Sequence, residues 1–130
     1  MYLALRTDSE ITKMYLLNDS GEEIKQEEWL SERRLADELL GRLEGFLKSA
    51  NQTWDDVTGL VVFLGPGSFT GLRIGITVMN TIAFTKHIPI AGTKHDDWLV
   101  DGASQLANGE DDKQCVPFYG AEPNITKPKR

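Results

Sequence analysis

The sequence is poor in the side chains that build disulfides and metal centres. It contains one cysteine, Cys115, so a disulfide within the chain is excluded, which fits a reducing compartment. Its two histidines are His87 and His95. His95 precedes Asp96 and Asp97, but adjacent residues on a helix point in different directions and do not converge on one metal ion. We therefore expect no metal site.

Long apolar runs are also missing. The longest internal run, Leu60 to Leu64, has only the length of a β-strand. The apolar residues 2–5 are followed at once by Arg6 and Asp8. A membrane-spanning helix needs roughly 20 apolar residues, and a secretory signal needs a longer apolar segment than this one. The sequence predicts no membrane association, and we expect a cytoplasmic protein.

Positive charge is scarce as well. The chain has 14 Lys and Arg residues against 20 Asp and Glu residues, which gives a formal net charge of -6. Because affinity for nucleic acid depends on Lys and Arg contacts with phosphate, an acidic chain is a poor ligand for RNA on its own. Lys127, Lys129 and Arg130 form a basic end, for which a solvated terminus is the simpler interpretation. If RNA is involved, we expect a partner to hold it.

Apolar periodicity and turn residues predict an α/β fold. Three strands come first, and helices then alternate with strands, an order that gives a mixed sheet with an antiparallel start, parallel additions and flanking helices. The predicted strands cover residues 2–7, 11–18, 22–28, 57–64, 88–91 and 116–119. The predicted helices cover residues 32–50, 71–86 and 94–107. We expect one lobe over residues 1–107, and a loop with a C-terminal segment over residues 108–130.

Two of the predicted helices differ in how much apolar surface must be buried against neighbouring structure. Helix 32–50 has an apolar stripe and also contains Gly41 and Gly45. These glycines are either tolerated at the surface or mark a close contact with another helix. Helix 71–86 is apolar almost all round, so it needs cover from its own sheet and from something else. That cover is either the interior of one domain or a partner protein.

A glycine-rich segment joins the buried strand 57–64 to helix 71–86. Glycine permits backbone angles closed to other residues, proline stiffens a turn, and hydroxyl groups can bond free amides at a helix start. The segment fits either a structural strand-to-helix turn or a cradle for an anion or a nucleotide at the helix N-terminus. This motif loop consists of Gly65, Pro66, Gly67, Ser68, Phe69, Thr70 and Gly71.

The motif loop does not match the common catalytic loops. A P-loop requires a lysine after its glycines, and no lysine stands at that place. A nucleophile elbow requires glycines two residues before and after the serine, but Pro66 and Thr70 flank Ser68 there. The spacing also differs from the dinucleotide-binding fingerprint. Because the sequence assembles no nucleophile, base and oxyanion site, we predict no catalytic residues.

The segment from Gly65 to Gly75 resembles the signature of the TsaB family, also called YeaZ. Other stretches follow the order of that family, namely Leu3-Ala4-Leu5, Ile88-Pro89-Ile90-Ala91-Gly92 and Val116-Pro117-Phe118-Tyr119. The resemblance implies an actin-like, ribonuclease-H-like single lobe. It also implies a shortened form that lacks most of the second lobe, so we expect no nucleotide to be clamped between two lobes of this chain.

The resemblance also implies a function. Members of the TsaB family are non-catalytic subunits that bind and support the TsaD transferase, which installs threonylcarbamoyl on tRNA adenosine next to the anticodon. The implied partners are TsaD in a heterodimer and TsaE in the larger complex, with tRNA reached only through them; a homodimer is also possible. The alternatives are a stand-alone anion- or nucleotide-binding module and a glycoprotease-like peptidase.

The chain departs from the family in its first strand. Where the family usually carries Asp-Thr-Ser, this chain has Arg6-Thr7-Asp8. A cation thus replaces a carboxylate that could help to hold a metal–nucleotide complex. We expect no cofactor bound by this chain alone, and we expect ATP or ADP on the partners.

The resemblance further implies that the two helices flanking the motif strand pair with the equivalent helices of a second subunit. On this basis, Gly75→Trp and Met79→Asp are expected to weaken association more than they unfold the chain. The residues expected at the partner interface are Leu39, Leu43, Phe46, Leu72, Arg73, Gly75, Ile76, Met79, Ile82 and Ala83.

Overall fold

The computed structural model describes residues 1–119. Over this range the chain forms one five-stranded sheet and three α-helices. The strands are β1 (Tyr2–Arg6), β2 (Ile11–Leu17), β3 (Glu23–Leu30), β4 (Gly59–Gly65) and β5 (Ile90–Lys94). The helices are α1 (Leu35–Ser49), α2 (Phe69–Lys86) and α3 (Trp98–Ala107). None of the helices within residues 1–119 combines the length and apolar character that a membrane span requires.

The sheet is mixed, as the sequence predicts. Its strand order is β3-β2-β1-β4-β5. The pairs β1/β2 and β2/β3 are antiparallel, whereas β1/β4 and β4/β5 are parallel. In the centre, Leu5 of β1 lies opposite Met14 on one side and Val62 on the other. The antiparallel start and the parallel additions are thereby confirmed.

The helices cover both faces of the sheet. The α2 helix contacts β1, β4 and β5 and also packs against α1, whereas α3 contacts β4 and β5. Gly75 of α2 lies against Thr7, and Gly102 of α3 lies against Val61. In register, Val61 faces Ala4, and side chains alternate along a strand, so Thr7 and Val61 point to opposite faces. Because β4 is covered on both faces, its side chains form a continuous apolar run.

The boundary between β3 and α1 differs from the prediction. The strand continues to Leu30, which pairs with Ile11, so Leu30 belongs to the sheet. Ser31 follows this strand, and its hydroxyl bonds the Thr12 hydroxyl at 2.8 Å and the Glu10 carbonyl oxygen at 3.1 Å. This buried polar pair fixes the end of the strand, and the α-helix begins only at Leu35.

The boundaries around β5 also lie later than predicted. Pairing with β4 extends β5 to Lys94, because Thr93 lies opposite Phe63. The Thr93 hydroxyl donates to the Trp98 carbonyl oxygen at 2.6 Å, and the helix predicted from residue 94 begins only at Trp98. No strand forms within the described residues 116–119, where the Phe118 N–H donates to the Leu64 carbonyl oxygen at 2.7 Å.

Candidate functional site

The motif loop packs directly on the residues that follow β1. The Ser68 N–H donates to the Asp8 carbonyl oxygen at 2.8 Å. A Cβ atom at Gly67 would collide with Asp8, and a Cβ atom at Gly71 would collide with the Thr7 carbonyl oxygen. The glycines are therefore required because the two backbone segments approach closely.

Thr7 connects this packing to the first turns of α2. It is almost fully buried, and its hydroxyl donates to the Gly71 carbonyl oxygen at 2.7 Å. One turn further along α2, a Cβ atom at Gly75 would collide with the Thr7 side chain. Gly75 thus permits α2 to approach its own sheet, not a helix of another subunit.

We expect Gly75→Ala to destabilise the chain by roughly 1–3 kcal/mol, because the added methyl group overpacks the contact with Thr7. Gly41→Ala is the matched control, since no atom described in the structure lies within 4 Å of the position that its Cβ would take. That control should be stabilising by about 0.5–1 kcal/mol, because glycine is disfavoured inside a helix. Urea denaturation of the two variants tests the difference, and equal stabilities would contradict it.

The charges at the end of β1 neutralise each other. Arg6 forms two hydrogen bonds with the Asp8 carboxylate, at 2.7 Å and 3.1 Å. The Arg6 guanidinium also lies 3.9 Å from the centre of the Phe63 ring. The Asp8 carboxylate beside the motif loop is therefore already paired with the Arg6 guanidinium of the same chain.

An open groove borders the motif loop. It has a volume of about 680 Å³ and lies between the N-terminal ends of α1 and α2. Its charged lining consists of Glu10, Glu32, Arg33 and Arg34, so acidic and basic side chains balance. The Ser68 amide already donates to Asp8, so it is not free to bind an anion in this groove.

Residues 111–119, which we call the strap, cover the outer edge of β5. The Asp111 carboxylate accepts the N–H groups of Ile90 at 3.0 Å and Lys113 at 2.9 Å. The Asp112 carboxylate accepts the Gly92 N–H at 2.8 Å. Loss of hydration acts to raise the pKa of Asp111, but these N–H groups and the Lys113 ammonium outweigh it, and the pKa lies below its usual value.

The strap then reaches the motif loop. Gly65 has a φ of 133°, and a Cβ atom there would collide with the Phe118 carbonyl oxygen. The Tyr119 ring stacks on Phe69 with 4.7 Å between ring centres. Cys115 is buried, and burial together with the charges of Asp112 and Asp111 raises its pKa to about 12. Its thiol therefore stays protonated, as expected for a packing residue.

The residues predicted at a partner interface need correction. Nine of the ten are buried within the protomer, on the sides of the helices that face the sheet and the neighbouring helix. Arg73 is exposed. The buried residues are Leu39, Leu43, Phe46, Leu72, Gly75, Ile76, Met79, Ile82 and Ala83. Whether these helices pair with a second subunit stays a prediction, and it now concerns their outer sides.

The outer sides of α1 and α2 form a continuous surface, which we call the two-helix face. Its most exposed apolar side chains are Leu40, at 49% exposure, and Phe84, at 80%. A shallow depression of about 430 Å³ lies between the helices. The depression is lined by Ala36, Thr70, Arg73, Ile74, Thr77 and Val78. The face also includes exposed residues at helical spacing from this lining, namely Leu40, Thr81 and Phe84, and Gly41 next to Leu40. Phe84 lies at its border, since it also lines a second depression with Asp111 and Lys113.

Neither loop nor helix face adds a metal centre. Within residues 1–119, no three His, Cys, Asp or Glu side chains are grouped so that they could hold a metal ion.

Sequence reasoning located the motif loop and Arg73, but it missed the strap, the Thr7 contact and the exposed side of α2. For α1, the sequence did contain a signal: Gly41 and Gly45 mark its exposed side, because both positions are open in the described part of the chain.

A family comparison agrees with this arrangement. The sequence model of the TsaD family, described as tRNA N6-adenosine threonylcarbamoyltransferase, matches residues 29–118, from the end of β3 through the motif loop and into the strap. The chain belongs to this family. Its members in Bacillus thuringiensis (strain Al Hakam) and Bacillus anthracis are 36% identical to it over 66 residues. These segments cover 51% of this chain and 19% of either relative.

Solved structures place the chain near the YeaZ (TsaB) members. The structure of YeaZ from Pseudomonas aeruginosa has a TM-score of 0.64 and 30% identity, over 72% of this chain and 43% of that one. A second structure, of an uncharacterized protein with similarity to peptidase YEAZ from Pseudomonas aeruginosa, gives the same TM-score and identity over 42% of its length. The predicted TsaB resemblance and the actin-like, ribonuclease-H-like lobe are confirmed. The chain spans less than half of these structures and about a fifth of the curated relatives.

Proposed function

We propose that this chain is a non-catalytic subunit that binds and supports the TsaD transferase in the threonylcarbamoyladenosine modification of tRNA. The observation that carries the proposal is the two-helix face, which places exposed apolar side chains on adjacent helices of a TsaD-family lobe. Family membership and the likeness to YeaZ support the pathway.

The composition of the two-helix face suits helix-to-helix docking. Leu40 and Phe84 offer exposed apolar surface, whereas Ala36, Gly41 and Thr77 are small and permit close approach of another helix. Asp37, Glu44 and Arg73 are exposed and supply a polar rim. The related lobe of TsaD is the proposed occupant, since the TsaD family model matches residues 29–118, the range that contains both helices of the face.

The surroundings of the motif loop support a role without catalysis. The Ser68 amide bonds Asp8, and Arg6 occupies the Asp8 carboxylate, so the loop serves packing. In this proposal ATP or ADP binds to partner subunits, TsaE joins the larger complex, and tRNA is reached through the partners. A homodimer through the same face is a competing assembly.

The proposal predicts a stable complex with the TsaD of the same organism. We expect co-expressed chains to elute together in size-exclusion chromatography, with a mass equal to the sum of both. We also expect this chain to restore threonylcarbamoyladenosine in a TsaB-depleted strain that receives this TsaD, measured by nucleoside mass spectrometry. The chain alone should form no modified tRNA. A chain that neither binds TsaD nor restores the modification would refute the proposal.

The same preparations distinguish the alternatives. Tight binding of ADP or ATP to the isolated chain, measured by calorimetry, would favour the nucleotide-binding module. Peptidase activity that persists through rigorous purification would favour the glycoprotease-like peptidase, in line with the similarity of one structural neighbour to peptidase YEAZ.

A further inference from the structure

The strap is held differently from the rest of the fold. Among residues 111–119, Cys115 carries the one buried side chain, and most of the others are exposed. The strap is fastened to β5 by the carboxylates of Asp111 and Asp112 and by the Asp112 N–H, which donates to the Ile90 carbonyl oxygen at 2.8 Å. A segment with so little buried apolar surface opens more easily than the core to which it is fastened.

Asn80 of α2 clamps the middle of the strap. The Asn80 side-chain amide N–H donates to the Cys115 carbonyl oxygen at 2.9 Å. The Asn80 side-chain amide oxygen, Oδ1, accepts the Cys115 N–H at 2.8 Å. A single side chain thereby replaces both backbone partners that a neighbouring strand would supply. The clamp can be removed by one substitution without changing the sheet.

The far end of the strap interlocks with the motif loop. The Phe118 N–H bonds the last part of β4 at Leu64, and the Phe118 carbonyl oxygen fills the space beside Gly65. The Phe118 ring lies under the Lys94 ammonium at 4.4 Å and edge-on to His95. As long as the strap is in place, the Gly65 end of the motif loop has no room to move.

We propose that the strap is a latch that opens without unfolding of the lobe, and that its opening releases the motif loop and uncovers the outer edge of β5. Opening breaks the Asn80 clamp, the carboxylate contacts and the Phe118 bond, while the five strands and three helices stay paired and packed. The latch thus frees the motif loop and the outer edge of β5 while α1 and α2 keep their packing on the sheet.

Cys115 supplies a probe for this motion, because it is the single cysteine of the chain and lies in the strap. With its pKa raised to about 12, the thiol reacts appreciably only after the strap has opened. The rate of labelling by a disulfide reagent is measured in native buffer and in increasing, sub-denaturing urea. We expect a rate that changes little with urea, as local opening requires. A rate with the full urea dependence of global unfolding would overturn the proposal.

Two substitutions test the link to the motif loop. Asn80→Ala should raise the Cys115 labelling rate roughly tenfold, because two hydrogen bonds are lost. Thr81→Ala is its control, since that hydroxyl bonds the Thr77 carbonyl oxygen within the helix. Phe118→Ala should speed amide exchange in residues 65–71, because loss of the ring contacts with Lys94 and His95 loosens the Phe118 backbone that bonds Leu64 and packs on Gly65. Val116→Ala, at an exposed position, should not. Unchanged labelling in Asn80→Ala, or unchanged exchange in Phe118→Ala, would refute the latch.

Discussion

Met79→Asp is expected to unfold this chain and not merely to release a partner. Met79 is fully buried on the side of α2 that packs against the sheet. Placing a carboxylate there without a partner costs at least about 4 kcal/mol, a large share of the roughly 5–15 kcal/mol that stabilises a typical domain. The expectation from the sequence alone, in which this substitution mainly weakens association, is therefore reversed.

Thermal melts followed by circular dichroism measure the effect. We expect Met79→Asp to lose the cooperative transition or to melt at least roughly 15 °C lower. Thr77→Asp is the matched control, because Thr77 is exposed on the same helix and its substitution should leave the melt within a few degrees. Near-native melting of Met79→Asp would show that this side of α2 is not core, and it would restore the original interface residues.

The contrast between Met79 and Thr77 shows the limit of periodicity. Helix 71–86 is apolar almost all round in sequence, so periodicity alone does not separate the buried Leu72, Ile76 and Met79 from the exposed Phe84. Periodicity also does not identify what covers the buried side. The sheet of the same chain is wide enough to cover it, so the expectation of a partner there assigned the right residues to the wrong neighbour.

Boundaries and non-local contacts account for the other differences. The predicted strand 22–28 ended short of Leu30 because the partner of Leu30 across the sheet, Ile11, is distant in sequence. Asp111 and Asp112 looked like solvated loop charge, but they accept N–H groups from the edge of β5. Such contacts leave no local pattern, whereas the continuous apolar run of β4 and the glycines of the motif loop do.

The second large effect concerns the outer side of the helices. Leu40→Asp combined with Thr77→Asp should weaken binding to TsaD at least roughly 30-fold, because a buried contact surface tolerates unpaired charges of one sign poorly. Both side chains are exposed in the free chain, so its free energy of unfolding should change by less than about 1 kcal/mol. The affinity is measured by calorimetry, and the stability by urea denaturation.

The control for this double variant is Val100→Asp, which places a charge at an exposed position of α3, on the opposite face of the sheet. TsaD binding should be unaffected by it. Sedimentation of the free chain over a range of concentrations shows in parallel whether copies of this chain pair through the same face, since the double variant would then also abolish self-association. Full TsaD affinity in the double variant, or an equal loss in Val100→Asp, would move the partner surface away from α1 and α2. The outcome depends on a simple physical distinction: the inner sides of these helices are already covered by the sheet, so a second protein can gain binding energy only from the outer ones.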